Sequence, residues 1–227
     1  MMLIATTVAS ALFASILFVA PAPGASSSAI PPTIINVTTD AADLSPALVK
    51  RILAETDAIW RSSGVTFVWR RAARVVVPDA RASEAGPDVP NTLRLTIGEN
   101  RGVARDARMP LGWILFDDRK EPQQDIYLSH ANAVTMMDQA RGVIGMVAEM
   151  PTAQRDTLLA RAMGRALAHE LGHYLLASKL HTRRGLMKAT LTAVELFRPD
   201  QGPFRIDQAQ RGAVTARLRG EPLMASR

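Results

Sequence analysis

Between Pro151 and Ala177 the sequence carries one long, clean helical pattern, and no other feature constrains the chain as strongly. Pro151 and Thr152 open it, and Leu158, Leu159, Ala162, Met163, Ala166, Leu167, Leu171 and Leu175 spread a broad apolar face along it. A helix with so wide an apolar face has to be covered by the rest of the chain. Thr33 to Thr38 reads as a β-branched strand, followed by a helix from Ser45 and Pro46 to about Ser63, with Gly64 as its stop. Val65 to Arg70, Arg74 to Val77, Thr92 to Ile97, Leu111 to Phe116 and Asp125 to Ser129 read as further strands, and residues 79 to 90 as loop. Ala133 to Glu149 is helical but interrupted by Gly142 and Gly145, and a last helical pattern runs from Phe204 to Arg219. That order describes a single α+β or α/β domain with no internal repeat.

Composition narrows the chemistry. The 227 residues are 48% apolar, which excludes disorder across the whole chain, and they include no cysteine. A disulfide framework, a thiolate metal site, an iron–sulfur cluster and a thiol nucleophile are all excluded. Any metal must be held by His, Asp or Glu. The net charge of +6 comes from 23 Arg and 4 Lys that are scattered along the chain, and aromatic residues are only 5%, so no nucleic-acid partner is expected.

From Leu3 to Ala20 the chain is almost wholly apolar and then passes into Pro21-Ala22-Pro23-Gly24-Ala25 and a serine run. Residues 1–27 are expected to be a signal peptide or an uncleaved anchor, with 30–220 as the single folded domain. The expected location is secreted, periplasmic or cell-envelope. No stable membrane association is expected unless the N-terminal segment stays in place.

His169-Glu170-Leu171-Gly172-His173 lies inside the long helix. Residues advance about 100° each along a helix, so histidines four apart differ by about 40° and share a face. They can grip one metal ion. Glu170 projects about 60° from His173, near the ion but aimed differently, as a base acting on water beside a metal must be. Hydrolytic zinc sites keep three protein ligands and leave a fourth position to water. His181, eight residues past His173, is the leading third ligand; Glu195, returning from a second helix, and His130, at the end of a strand, are the rivals. Asp117, Asp118 and Asp125 could hold a cation by spacing, but read more simply as a solvated turn.

His169 to Met187 (HELGHYLLASKLHTRRGLM) resembles the metzincin metallopeptidases, and the matrixin type most of all. The resemblance implies that His169, His173 and His181 bind Zn2+, that Glu170 is the general base and that Met187 is the Met-turn methionine. Thr182 stands where matrixins carry a small hydroxyl residue. It further implies a zincin-like α+β fold: a mixed, mostly parallel twisted sheet of about five strands, the long active-site helix, one helix before it and a C-terminal helix. The usual spacing would put glycine at 176 and the third histidine at 179; this chain has Leu176 and Lys179 there, so its turn is two residues longer and lacks glycine. A longer turn can avoid the left-handed conformation that calls for glycine in a tight one.

The function so implied is a zinc-dependent endopeptidase acting on a peptide or protein substrate, expected as a monomer. The substrate would lie extended along the edge strand Leu111–Phe116, with Gly112 leaving room for close approach, and Leu191, Val194 and Leu196 would wall a pocket for the residue after the cut bond. Two other readings compete: a non-catalytic, zinc-stabilised binding module of the same fold, and a zinc amidase acting on cell-wall peptides.

Overall fold

Burial alternates along Thr33–Thr39 (β1), with Thr33, Ile35 and Val37 inward, so β1 offers one face to a core and the chain must supply a layer to cover it. The computed structural model describes residues 30, 32–39, 44–72, 92–102 and 109–221. The N-terminal segment 1–27, the strand expected at Arg74–Val77 and the loop at 79–90 lie outside the described residues.

The covering layer comes from two helices, α1 (Pro46–Arg61) and α4 (Thr152–Leu176). Ser45 caps α1 by accepting from the Leu48 N–H at 3.1 Å, with proline at the first position, as its sequence predicts. Gly64, at φ +73°, ends the connection and releases the chain into β2 (Phe67–Arg71). The sheet adds β3 (Thr92–Gly98), β4 (Gly112–Phe116) and β5 (Pro122–Ser129) in the order β2-β1-β3-β5-β4. All neighbours are parallel except β4, which runs antiparallel to β5. The expected α+β architecture with a mixed, mostly parallel five-stranded sheet is therefore present, and β4 stands at one edge. Ile35, Leu93, Leu95, Ile97, Ile126 and Leu128 of the sheet are fully buried with Ile52, Trp60, Met163 and Leu167 of the helices.

The interrupted segment resolves into α2 (His130–Gln139), α3 (Arg141–Ile144) and a 3-10 turn at Val147–Glu149. α2 starts before the expected Ala133 because the Ser129 side chain caps it from the end of β5, accepting from the Asn132 N–H at 3.1 Å. After α4 the turn-rich stretch contains a short α5 (Ala193–Phe197), and the last helix, α6 (Gln208–Leu218), begins later than expected. Phe204 and Ile206 belong to the core rather than to that helix, and a capping box between Asp207 and Gln210 fixes its start. No helix among the described residues is long and apolar enough to cross a membrane.

Two helical glycines have opposite meanings. At Gly172 an added Cβ would run into the Met187 sulfur, so the bare backbone is what lets Met187 lie against α4. At Gly212, inside α6, an added Cβ meets nothing within 4 Å. Gly212→Ala should therefore stabilise the protein by about 0.5–1 kcal/mol, whereas Gly172→Ala should destabilise it by about 1–3 kcal/mol despite alanine's better helix propensity. Urea unfolding of the two variants beside the parent checks both signs.

Candidate metal centre

α4 turns His169 and His173 to one side, and each ring is fixed by a backbone carbonyl. His169 Nδ1 lies 2.8 Å from the Leu186 carbonyl oxygen and His173 Nδ1 lies 2.6 Å from that of Ser178. A carbonyl can only accept, so each Nδ1 carries the proton and each Nε2 is left with a lone pair. The two Nε2 atoms face one another at 3.0 Å. Two lone pairs at that distance repel unless a cation lies between them and a third donor. His181 supplies the third: its ring centroid lies 5.3 Å from that of His169 and 4.9 Å from that of His173, and one ligand atom from each histidine falls within 4.8 Å of the others.

The C-terminal end of α4 makes this possible by a route opposite to the one expected. The longer turn does not avoid the left-handed conformation; Ala177 adopts it, at φ 47° and ψ 43°. That costs an L-residue about 1–2 kcal/mol. It lets the Ser178 N–H return to the His173 carbonyl at 3.2 Å, and the same residue's carbonyl then reaches the His173 ring. The connection runs on through Lys179, whose ammonium sits 4.8 Å over the Phe116 ring, and delivers His181 to the cluster.

The rival third ligands are engaged elsewhere. Glu195 forms the capping box of α5 with Thr192 and pairs with the Lys188 ammonium at 2.6 Å, which together hold its carboxyl down at about 2. His130 Nδ1 contacts Glu99 at 2.9 Å. The three aspartates do not gather either: Asp117 closes the β4–β5 turn by accepting the Glu121 N–H at 2.9 Å, and Asp125 forks with Arg94 at 2.6 and 2.7 Å. Among the described residues the three histidines are the one group with metal-ligand geometry.

Glu170 is 9% exposed, and the Ile114 N–H of β4 donates to its carboxylate. Burial nevertheless pushes it up to about 8, the Ile114 bond pulling the other way. At Gly112 a Cβ would meet Leu128 at 2.9 Å and the Glu170 side chain at 3.1 Å, so the bare backbone there makes room for Glu170. His169 is pushed down to about 4, chiefly by burial and further by its two neighbouring histidines, and burial likewise lowers His173 and His181. All three are then neutral at pH 7, the state a metal ligand needs.

These shifts have opposite signs in stability. The unfolded chain protonates His169 near 6.5 and the folded chain only near 4, so this contribution is complete above 6.5 and is lost as pH falls toward 4. Folded Glu170 keeps its proton up to about 8 against 4.5 unfolded, so its contribution is complete below 4.5 and is lost as pH rises through 8. Between about 4.5 and 6.5 the two slopes oppose one another, and above 6.5 only that of Glu170 remains, so metal-free protein should lose up to about 1.4 kcal/mol per pH unit from there to pH 8. Thermal unfolding after chelation checks this, and Glu170→Gln should flatten the alkaline side.

Three neutral imidazoles suit Zn2+, which takes nitrogen ligands at about 2.0–2.1 Å. A divalent cation there would separate the facing Nε2 atoms and favour ionised Glu170 beside it. Met187 is fully buried against Gly172, and the Trp60 indole N–H donates to the Ala168 carbonyl at 3.1 Å.

One residue of the site's support was not singled out from sequence. Arg165, fully buried one turn before His169, bonds Glu55 of α1 at 2.9 Å and the carbonyls of Glu195, Leu196 and Asp200 at 2.7, 3.0 and 3.0 Å. Its guanidinium also lies 4.6 Å from the Phe204 ring centroid. The signal was available: Arg165 is four residues before His169, so if one points inward the other must. Of the three residues expected to wall a pocket, Leu191 lines a cavity, Leu196 belongs to the core and Val194 faces solvent.

No protein-family model matches the sequence, and no curated protein matches it. Among solved structures the chain is similar to archaemetzincin from Methanopyrus kandleri, with TM-score 0.50 and 12% identity over 83% of this chain and 96% of that one. A zinc-dependent peptidase from Methanocorpusculum labreanum aligns at TM-score 0.48 and 12% identity over 79% of this chain and 99% of that one. At such identity the likeness to archaemetzincin is one of fold.

Proposed function

We propose that this protein is a zinc-dependent peptidase that hydrolyses internal peptide bonds, with His169, His173 and His181 as metal ligands and Glu170 as general base. The observation that carries the reading is the facing pair of unprotonated Nε2 atoms, each ring locked by a carbonyl, with a third histidine and a buried carboxylate beside them. Bound there, zinc supplies the Lewis acidity that polarises an amide carbonyl and brings the pKa of water toward about 7. Glu170 takes a proton from the attacking water. The water oxygen adds to the carbonyl carbon, the C–N bond breaks, and Glu170 hands the proton to the departing nitrogen. The Ile114 N–H fixes the carboxylate against the edge strand β4, so the base stands beside the strand along which an extended peptide would pair.

The finer likeness to matrixins, with Met187 as the Met-turn methionine, is supported by the packing of its sulfur against Gly172 under the two helix ligands. The apolar stretch from Leu3 to Ala20 supports export of the enzyme. Zinc-loaded protein should cleave members of a diverse quenched-peptide library, lose that activity on treatment with 1,10-phenanthroline and regain it with stoichiometric zinc. His181→Ala should lower zinc affinity by at least ~100-fold, since it removes one of three protein ligands. Stoichiometric zinc with no cleavage of any peptide would overturn the reading.

A further inference from the structure

The chain between His181 and Met187 is a closed turn. The Thr182 N–H donates to the Met187 carbonyl at 2.8 Å, and the Thr182 hydroxyl donates to the Arg184 carbonyl at 2.6 Å. Gly185, at φ +84°, passes so near the Arg205 carbonyl that a Cβ would come within 2.5 Å of its oxygen. Both ends of the turn belong to the metal centre: His181 is a candidate ligand, and the Leu186 carbonyl holds the His169 ring. The residues between them, Arg183 and Arg184, are therefore held at a fixed place beside it.

Arg183 and Arg184 line a cavity of about 270 Å³ together with Gly185, Lys188, Leu191 and Pro203. Glu195, also at the cavity, is matched by Lys188 at 2.6 Å, so those two charges offset one another. Both arginines are exposed and lie at the lining of this one small space, and neither has an acidic partner among the described residues. The cavity is smaller than the roughly 300–1,000 Å³ of a drug-sized site, which suits a single side chain or chain end. Guanidinium matches carboxylate by paired, nearly parallel N–H···O bonds, the strongest class of side-chain hydrogen bond. Arg183 and Arg184 follow His181 by two and three residues, so their Cα atoms lie within about 11 Å of it, a span of about three residues of extended peptide.

We propose that this cavity receives a carboxylate of the substrate, either an Asp or Glu side chain or the terminal carboxylate, within about three residues of the bond that is cut. This rests on the peptidase reading above and gives that site its substrate class: acidic peptides. Arg183 and Arg184 act as specificity residues, and Leu191 and Pro203 supply the apolar wall against which the methylenes of the acidic residue pack.

The test uses the zinc-loaded full chain carrying Glu170→Gln, which can bind a peptide without consuming it. Fluorescence anisotropy compares three labelled peptide sets: an internal Glu at each position with an amidated end, the matching Gln peptides with an amidated end, and the Gln peptides with a free terminal carboxylate. About tenfold or more tighter binding is expected for one carboxylate placement over its neutral match. Adding Arg183→Ala and Arg184→Ala should reduce that ratio to about one, and the corresponding Lys pair should restore part of it. Preference for the internal Glu assigns a side-chain subsite, and preference for the free end assigns capture of the chain terminus. Equal binding of all three sets, or a preference that survives loss of both arginines, overturns the proposal. Hydrolysis by the parent enzyme is scored apart: cleavage without acidic preference sinks the pocket alone, while acidic preference in binding with no hydrolysis sinks the peptidase reading and leaves the pocket standing.

Discussion

Glu170→Gln should still bind about one zinc per chain yet cleave peptides at least ~100-fold more slowly than the parent. The amide keeps the size of the carboxylate and can still face the Ile114 N–H, but it cannot accept a proton from water. Because Glu170 is not expected to ligate the metal, its loss should separate zinc content from turnover. Zinc analysis of the purified variant and kcat/KM on one good peptide measure the two halves. Normal cleavage by the variant would remove Glu170 from the mechanism. Loss of zinc along with activity would instead make it part of the ligand set.

The second large effect is expected at Arg165, which touches no ligand. Truncation to alanine leaves the half-buried Glu55 without its cation and leaves the carbonyls of Glu195, Leu196 and Asp200 without their donor. Breaking a buried pair in this way costs about 3–5 kcal/mol, and for a chain of this size that lowers the melting temperature by about 10 °C or more. Lysine should rescue little, because a single ammonium cannot reach a carboxylate on one side and three carbonyls on the other. Differential scanning calorimetry of zinc-loaded Arg165→Ala and Arg165→Lys provides the measurement. A drop of less than about 1 kcal/mol in either would show that the network is dispensable.

Much of the site is legible in sequence because a helix converts spacing into direction. The four-residue step from His169 to His173, and an apolar face long enough to demand burial, already place two rings side by side. His181 is harder, since nothing in spacing says where a chain goes after it leaves a helix. Glu195 could have been set aside earlier: Thr192-x-x-Glu195 is a capping-box pattern, and a carboxylate committed to a helix start is not free to bind metal. The same kind of signal, Asp207-x-x-Gln210, marks the true start of the last helix. Gly112 is legible only in part, because sequence shows that a glycine makes space but not that Glu170 is the neighbour using it. The left-handed Ala177 was hidden for a different reason, since a strained conformation leaves no trace when a residue other than glycine or asparagine adopts it.

The brace around α4 also bears on when the metal centre can come into being. Thr56 grips the Gly164 carbonyl and Trp60 the Ala168 carbonyl, each across 108 residues of chain, and Gln201 reaches Glu55 across 146. Contacts so distant in sequence form late, because the loop they close must be ordered before they return any free energy. A nascent chain that has just exposed HELGHYLLASKLH therefore owns all three histidines but not the framework that aims them. Selective zinc capture belongs to the finished domain and not to the emerging peptide.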